Sequence, residues 1–307
     1  MHQAQGGTMR KTVAIATAAA ATTMVVAACG DATPAPPEET TAEGKPTEQE
    51  PTGEPTAEET TEAEPFDPRS VDLTNMAWRY ASVGVAPVQV DFSDGEALGH
   101  FDRWDGQFVI EDEPLYVDMD DDGDEDVVAS ASFNAELQPE TYQWVTTEWF
   151  VWLTDGEQLV QMPYPLTSSG DCASRTESVQ PAGGGLGVDV VQNQVGWQSE
   201  CAAGASISVD RTVRVEHGND GEAWLVQTEP FPSWGGDCRP LAGDVSQLEA
   251  SDVSVAPGLD AASPDKRAMV DESELWMSET VDGWDFVTYL HEGDANFVSY
   301  CGWVPSS

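Results

Sequence analysis

From about residue 68 onward the chain is built of short runs in which apolar and polar residues alternate, each closed by a turn signal. In WFVWLTDGEQLVQMPY two apolar-rich runs flank Asp155-Gly156. In ISVDRTVRVEHGNDGEAWLVQTEP, Ile207, Val209, Val213 and Val215 share one alternating face before a turn at Asp220-Gly221. WDFVTYLHEGDANFVSYCGWV repeats the scheme near the C-terminus around Glu292-Gly293-Asp294. Period-two alternation broken by Asp-Gly or Gly-Asp predicts β-hairpins. The 3.6-residue period is scarce, and residues 264–277 are the one helix that the pattern predicts. The expected fold class is mainly β: antiparallel hairpins forming a sheet, sandwich or barrel-like domain over residues 68–307. Residues 241–265 carry few strand signals and read as a long surface excursion. The final hairpin then belongs either to the main sheet or to an appended unit spanning 241–307. Gly183-Gly184-Gly185 reads as a loose connection, because no Lys-Ser or Lys-Thr follows to make a phosphate loop.

Before residue 68 the alternation vanishes. Met9-Arg10-Lys11 opens a basic segment, TVAIATAAAATTMVV supplies a short apolar run, and Val26-Ala27-Ala28-Cys29 closes it. That order marks a secretory signal peptide over residues 1–28 rather than a membrane span. Residues 1–8 add nothing to the design, which leaves Met9 as an alternative start. The small residues directly before Cys29 resemble the lipobox of bacterial lipoproteins. The resemblance implies a thioether-linked diacylglycerol on Cys29, a mature N-terminus there, and a lipid-anchored protein on the extracytoplasmic face of the cell membrane. Residues 29–67 are rich in Pro, Thr and Glu. They have too little apolar surface to offset the entropy of ordering, so they read as a disordered spacer.

Charge and cysteine content fit that address. Lys and Arg number 12 against 56 Asp and Glu, a formal net charge of -44, which repels phosphates and excludes nucleic acid as a partner. A hydrophobic content of 40% with 11 Trp is enough for a sizeable core. Beyond Cys29 the cysteines are Cys172, Cys201, Cys238 and Cys301. Four cysteines in an exported chain imply two disulfides with three possible connectivities; Cys172–Cys201 with Cys238–Cys301 closes the most local loops. None lies in a Cys-x-x-Cys pair, which disfavours zinc.

The stretch VDMDDDGDED, residues 117–126, crowds seven carboxylates into ten residues, a repulsion that a cation would relieve. Asp118, Asp120 and Asp122 take loop positions one, three and five. Gly123 takes six, Asp124 offers a backbone carbonyl at seven, and Asp126 takes nine. Alternate side chains converge on one point, glycine permits the sharp turn, and hard oxygen donors select Ca²⁺ over the smaller, more strongly hydrated Mg²⁺. Position twelve is Ala129 where an EF-hand carries its bidentate Glu, and strand-like Leu115-Tyr116-Val117 and Val127-Val128-Ala129 replace helices. Strand, D-x-D-x-D-G-x-x-D, strand resembles the calcium loops of FG-GAP and VCBS repeats. That resemblance, covering residues 114–132, implies side-chain ligation by Asp118, Asp120, Asp122 and Asp126. The chain holds a single copy, so it implies no propeller. A structural ion fixing one turn is the expectation.

PFDPRSVDLTNMAWRY, VQVDFSDGEA, the acidic loop, Trp-Phe-Val-Trp and Trp234-Gly235-Gly236-Asp237-Cys238 together resemble a group of actinobacterial lipoproteins and secreted proteins with no assigned activity. Neither a Gly-x-Ser-x-Gly elbow nor a His-Glu-x-x-His helix occurs. Of His100, His217 and His291, the latter two lie beside predicted turns and read as exposed. Trp144, Trp149 and Trp152 crowd one hairpin, and Trp276, Trp284 and Trp303 lie near the C-terminus. Trp144 and Trp152 share parity and Trp149 has the other, so both faces of that strand are expected to be covered. The functional expectation is a non-enzymatic binding, interaction or structural role at the cell envelope. Its partners would be the membrane, through the anchor, and an extracellular protein or glycan. The alternative is an envelope hydrolase using a pair of acidic residues.

Overall fold

A computed structural model describes residues 66–82, 85–170, 174–194, 207–238, 246–247, 253–258, 268–270, 275–281, 283–290 and 299–306. All belong to one compact unit spanning residues 61–307. Cys29, the Pro/Thr/Glu segment, His291 and the expected Cys172–Cys201 pair lie outside the described residues.

The fold is mainly β. Two 3₁₀ turns, Pro68–Ser70 and Leu73–Asn75, lead in. Asp67 and Asp72 cap them by accepting backbone N–H bonds from Arg69 and Thr74. Strands β1 (Ala77–Ser82) and β2 (Val85–Asp91) pair as a separate hairpin. Next come β3 (Glu96–Phe101), β4 (Trp104–Ile110), β5 (Leu115–Val117), β6 (Asp126–Gln138), β7 (Thr141–Asp155), β8 (Gln158–Gln161) and β9 (Thr167–Gly170). These build the largest sheet, ordered β3-β4-β6-β7-β8, with β5 on β6 and β9 on β7. Strands β10 (Arg175–Pro181), β11 (Val188–Gln194), β12 (Ile207–His217), β13 (Ala223–Glu229) and β14 (Ser233–Trp234) form a second sheet in sequence order. The C-terminal strands are β15 (Ser246–Gln247), β16 (Val253–Val255), β17 (Ala268–Val270), β18 (Leu275–Val281), β19 (Trp284–Leu290) and β20 (Ser299–Pro305). They give a sheet ordered β15-β18-β19-β20 and a β16–β17 pair. Every strand pairing is antiparallel.

The long strands β6 and β7 separate two cores, which is why they are buried on both faces. On one face Val127, Ala129, Ala131, Phe133 and Ala135 of β6 join Phe150 and Trp152 of β7 against Trp78, Tyr80, Phe92, Phe101 and Phe108. The alanines leave room for rings that meet edge to face, such as Trp78 and Trp152 at 4.6 Å and Tyr80 and Phe108 at 5.0 Å. On the other face Val128, Val151 and Leu153 pack with Met119, Val188, Val190, Val213, Val215 and Leu225. The second sheet closes this second core.

The hairpins expected at Asp155-Gly156 and Asp220-Gly221 are present, with Gly156 at φ 62° and Gly221 at φ 86°. Three expectations need correction. Residues 264–277 are not a helix: their described portions lie in β17 and β18, where Val270 pairs with Val253 and Leu275 with Tyr289. Available strand partners outweigh the weak local preference of a short apolar run. Residues 241–265 are not simply a surface excursion, since Val255 and Ala256 are fully buried and Ala256 bridges Trp303 through paired backbone bonds. Trp144 and Trp152 do not share a face. Thr146 pairs with Phe133 but Trp144 pairs with Asn134, so a bulge reverses the parity between them. Trp144 is exposed on the side opposite Trp152.

The last hairpin packs with the second sheet. Val287, Tyr289, Tyr300 and Val304 share a cluster with Val209, and Phe286 and Trp303 share one with Trp224, Val226 and Trp234. Cys238, just after β14, is joined by a disulfide to Cys301 of β20, with Cα atoms 5.6 Å apart.

Candidate metal centre

The acidic loop runs from the end of β5 to the start of β6, strands that pair directly through Val117 and Asp126. Its course is set by its own carboxylates. Asp118 Oδ1 accepts from the Asp121 N–H at 2.8 Å and Oδ2 from the Gly123 N–H at 3.2 Å. Asp121 and Gly123 take left-handed φ values of 66° and 93°. Short polar Asp tolerates that region and Gly favours it, so the sharp turn needs these two residue types.

Asp126 anchors the far end. It is 1% exposed, and its two oxygens accept from the Met119 N–H and the Thr154 N–H, each at 2.8 Å. Thr154 also donates its hydroxyl to the Glu125 carbonyl at 2.6 Å. Burial pushes the Asp126 carboxyl up to about 7, reinforced by the charges of Asp120 and Asp122 and opposed by the two amide bonds. Burial among other acids disfavours its ionised form, which a facing cation would favour.

Asp118, Asp120 and Asp126 each offer an oxygen, and these oxygens lie within 4.8 Å of one another. Calcium–oxygen distances of about 2.3–2.6 Å let oxygens so spaced share one ion. Asp120 completes the case. Its side chain is only 7% exposed, and while Oδ2 meets His217, Oδ1 is buried with no hydrogen-bond partner. A buried carboxylate oxygen without a donor is strongly disfavoured unless a cation faces it. The donor set is entirely hard oxygen, which fits Ca²⁺ and not a soft metal.

The loop does not gather every expected ligand. Asp122 lies outside the converging group; it is exposed and accepts the Asp124 N–H at 2.8 Å. Asp124 is exposed, and its part in the expectation was a backbone carbonyl.

Four contributors come from elsewhere in the chain. His217, at the end of β12, places Nε2 2.9 Å from Asp120 Oδ2, and its Nδ1 faces the Gly221 carbonyl at 3.3 Å. Satisfying both acceptors requires the doubly protonated ring, and the hydrogen bond to Asp120 raises its pKa above the ordinary histidine value. The Gly187 N–H donates to the Asp118 carbonyl at 2.7 Å, the Val215 N–H donates to the Met119 carbonyl at 2.6 Å, and Thr154 comes from β7. The segment read as a loose glycine connection therefore ends on the acidic loop. None of these had a local signal: His217 is 97 residues from Asp120, and backbone donors leave no mark in a sequence. Outside the loop, His100 pairs only with exposed Asp105 at 3.1 Å.

Comparison with protein-family models, curated proteins and solved structures returned no match for the chain.

Proposed function

We propose that this is a lipid-anchored protein of the extracytoplasmic membrane face whose β unit is stabilised by one Ca²⁺ and has a non-catalytic binding or structural role. The orphaned, buried Asp120 Oδ1 among converging Asp118 and Asp126 carries the calcium reading. Asp118, Asp120 and Asp126 hold the ion through side chains. Its charge offsets their mutual repulsion, so binding favours the folded loop over the unfolded chain. The Val26-Ala27-Ala28-Cys29 order supports the anchor, and the Pro/Thr/Glu segment acts as the spacer between lipid and fold.

Thermal unfolding of the purified full-length protein in EDTA and in 2 mM CaCl₂, with calorimetric titration, tests the ion. We expect one ion per chain and a melting temperature raised by several degrees, a gain lost in Asp120→Asn. A melting temperature unmoved by calcium would refute the structural ion. For the anchor, metabolic labelling with an alkyne fatty acid should mark the wild type and leave Cys29→Ser unmarked.

A further inference from the structure

A recess of about 330 Å³ opens where the β1–β2 hairpin, the connection after β8 and the C-terminal sheet meet. It is far from neutral in composition. Tyr164, Trp234, Phe286 and Trp303 build one aromatic wall. Tyr164 and Trp234 meet edge to face at 5.3 Å, and Phe286 and Trp303 stack tilted at 4.7 Å. Pro163 lines the recess beside Arg79, an exposed arginine on β1.

Arg79 is held in place at both ends. Its backbone N–H donates to Gln161 Oε1 at 2.7 Å and its carbonyl accepts from Gln161 Nε2 at 2.9 Å. Its Nη1 donates to the Pro163 carbonyl at 3.0 Å. A guanidinium carries five N–H donors, so most remain for another partner. Arg69, Arg103 and Arg214 each pair with a carboxylate. Arg79 pairs with none among the described residues. Arg175 and Arg211 likewise form no salt bridge among the described residues, but of the three only Arg79 lines the recess. A fixed, unpaired cation at the mouth of an aromatic recess is the layout of a small-ligand site: an apolar body buried, one charge setting orientation.

We propose that this recess binds a small, mostly apolar carboxylate, its anion paired with Arg79 and its body against Trp234, Trp303, Phe286 and Tyr164. The overall negative charge does not forbid this. At physiological ionic strength fields fade over about 8 Å, and Arg79 is the one charged residue in the lining of the recess. The carboxylate comes from a free organic acid or from the C-terminus of a peptide ending in an aromatic residue. The site is separate from the acidic loop and stands whether or not that loop holds calcium.

The test uses the full-length protein in calcium-containing buffer, followed by calorimetry and tryptophan fluorescence. The probes are 3-phenylpropionate, its neutral amide, and acetyl-Gly-Pro-Phe with a free C-terminus. Saturable 1:1 binding is expected, with acid preferred over amide by about tenfold, the scale of one charge-assisted hydrogen bond. Arg79→Gln should abolish that preference while leaving the melting temperature unchanged. Ala86→Trp, an exposed position on the recess wall, should block acid and amide alike. Tighter binding of either acid supports the site and assigns its source. Equal binding of acid and amide, unchanged acid binding in Arg79→Gln, or no saturation at 10 mM would overturn it.

Discussion

At the residue scale the acidic loop divides its carboxylates between two jobs. Asp126 anchors the loop to the fold, both of its oxygens accepting backbone donors, while it also stands among the three converging carboxylates. Asp120 keeps one oxygen unclaimed. The shifted pKa of Asp126 makes a pH prediction with a definite sign. In the metal-free protein the folded chain keeps the Asp126 proton up to about pH 7, whereas the unfolded chain releases it near pH 4. The folded state therefore binds more protons across that window. The stabilisation is full below about pH 4 and is lost as pH rises toward 7. Calcium requires the carboxylate, so its effect runs the other way. The calcium-dependent gain in melting temperature should grow between pH 5 and pH 8. A gain that stays constant over this range would contradict the role given to Asp126. The Asp-x-Asp-x-Asp-Gly spacing made this loop legible, because spacing determines which side chains converge. His217 was read as an exposed turn residue, and nothing near it in sequence points to Asp120.

At the scale of elements, hairpins whose turns are local were legible and pairings made over distance were not. Asp155-Gly156 and Asp220-Gly221 announce their turns through residues that accept φ above zero. Strands β16 and β17 carry no such signal; each is three residues long and defined by its partner. The bulge at Trp144 was equally silent, because parity counting assumes an unbroken ladder. One element-level test concerns β4. Gly106 lies opposite Ala135, and a methyl group there would strike the Asn134 carbonyl and the Phe133 ring. Gly106→Ala should destabilise the protein by about 2–3 kcal/mol through overpacking, read as a lower urea midpoint with unchanged slope. A midpoint equal to that of the wild type would mean that the β4–β6 contact is looser than described.

For the molecule as a whole, two sheets and the final hairpin are joined at a few identifiable points. Arg211, in the middle of the apolar face of β12, is buried and donates to the carbonyls of Leu166, Gly235 and Gly236 at 2.7–3.1 Å. The alternation passed over it because it sits between valines as if it were one. The disulfide between Cys238 and Cys301 closes a loop with a sequence separation of 63. Constraining a loop of that length is worth about 4 kcal/mol in the chain-entropy view. A Cys238→Ala/Cys301→Ala double variant should therefore melt markedly lower than the oxidised protein. Equal melting would show that the cores alone hold the final hairpin.

The acidic loop meets the second sheet through two main-chain bonds, the Asp118 and Met119 carbonyls accepting from the Gly187 and Val215 N–H groups, and through the Asp120–His217 contact. The two main-chain bonds are blind to which side chains the loop carries at positions 120 and 122, although the His217 contact is not. The loop is thus a fixed frame with interchangeable fittings. A change at Asp120 can retune how tightly an ion is held while the main-chain attachment to the second sheet persists. Asp126 enjoys no such liberty.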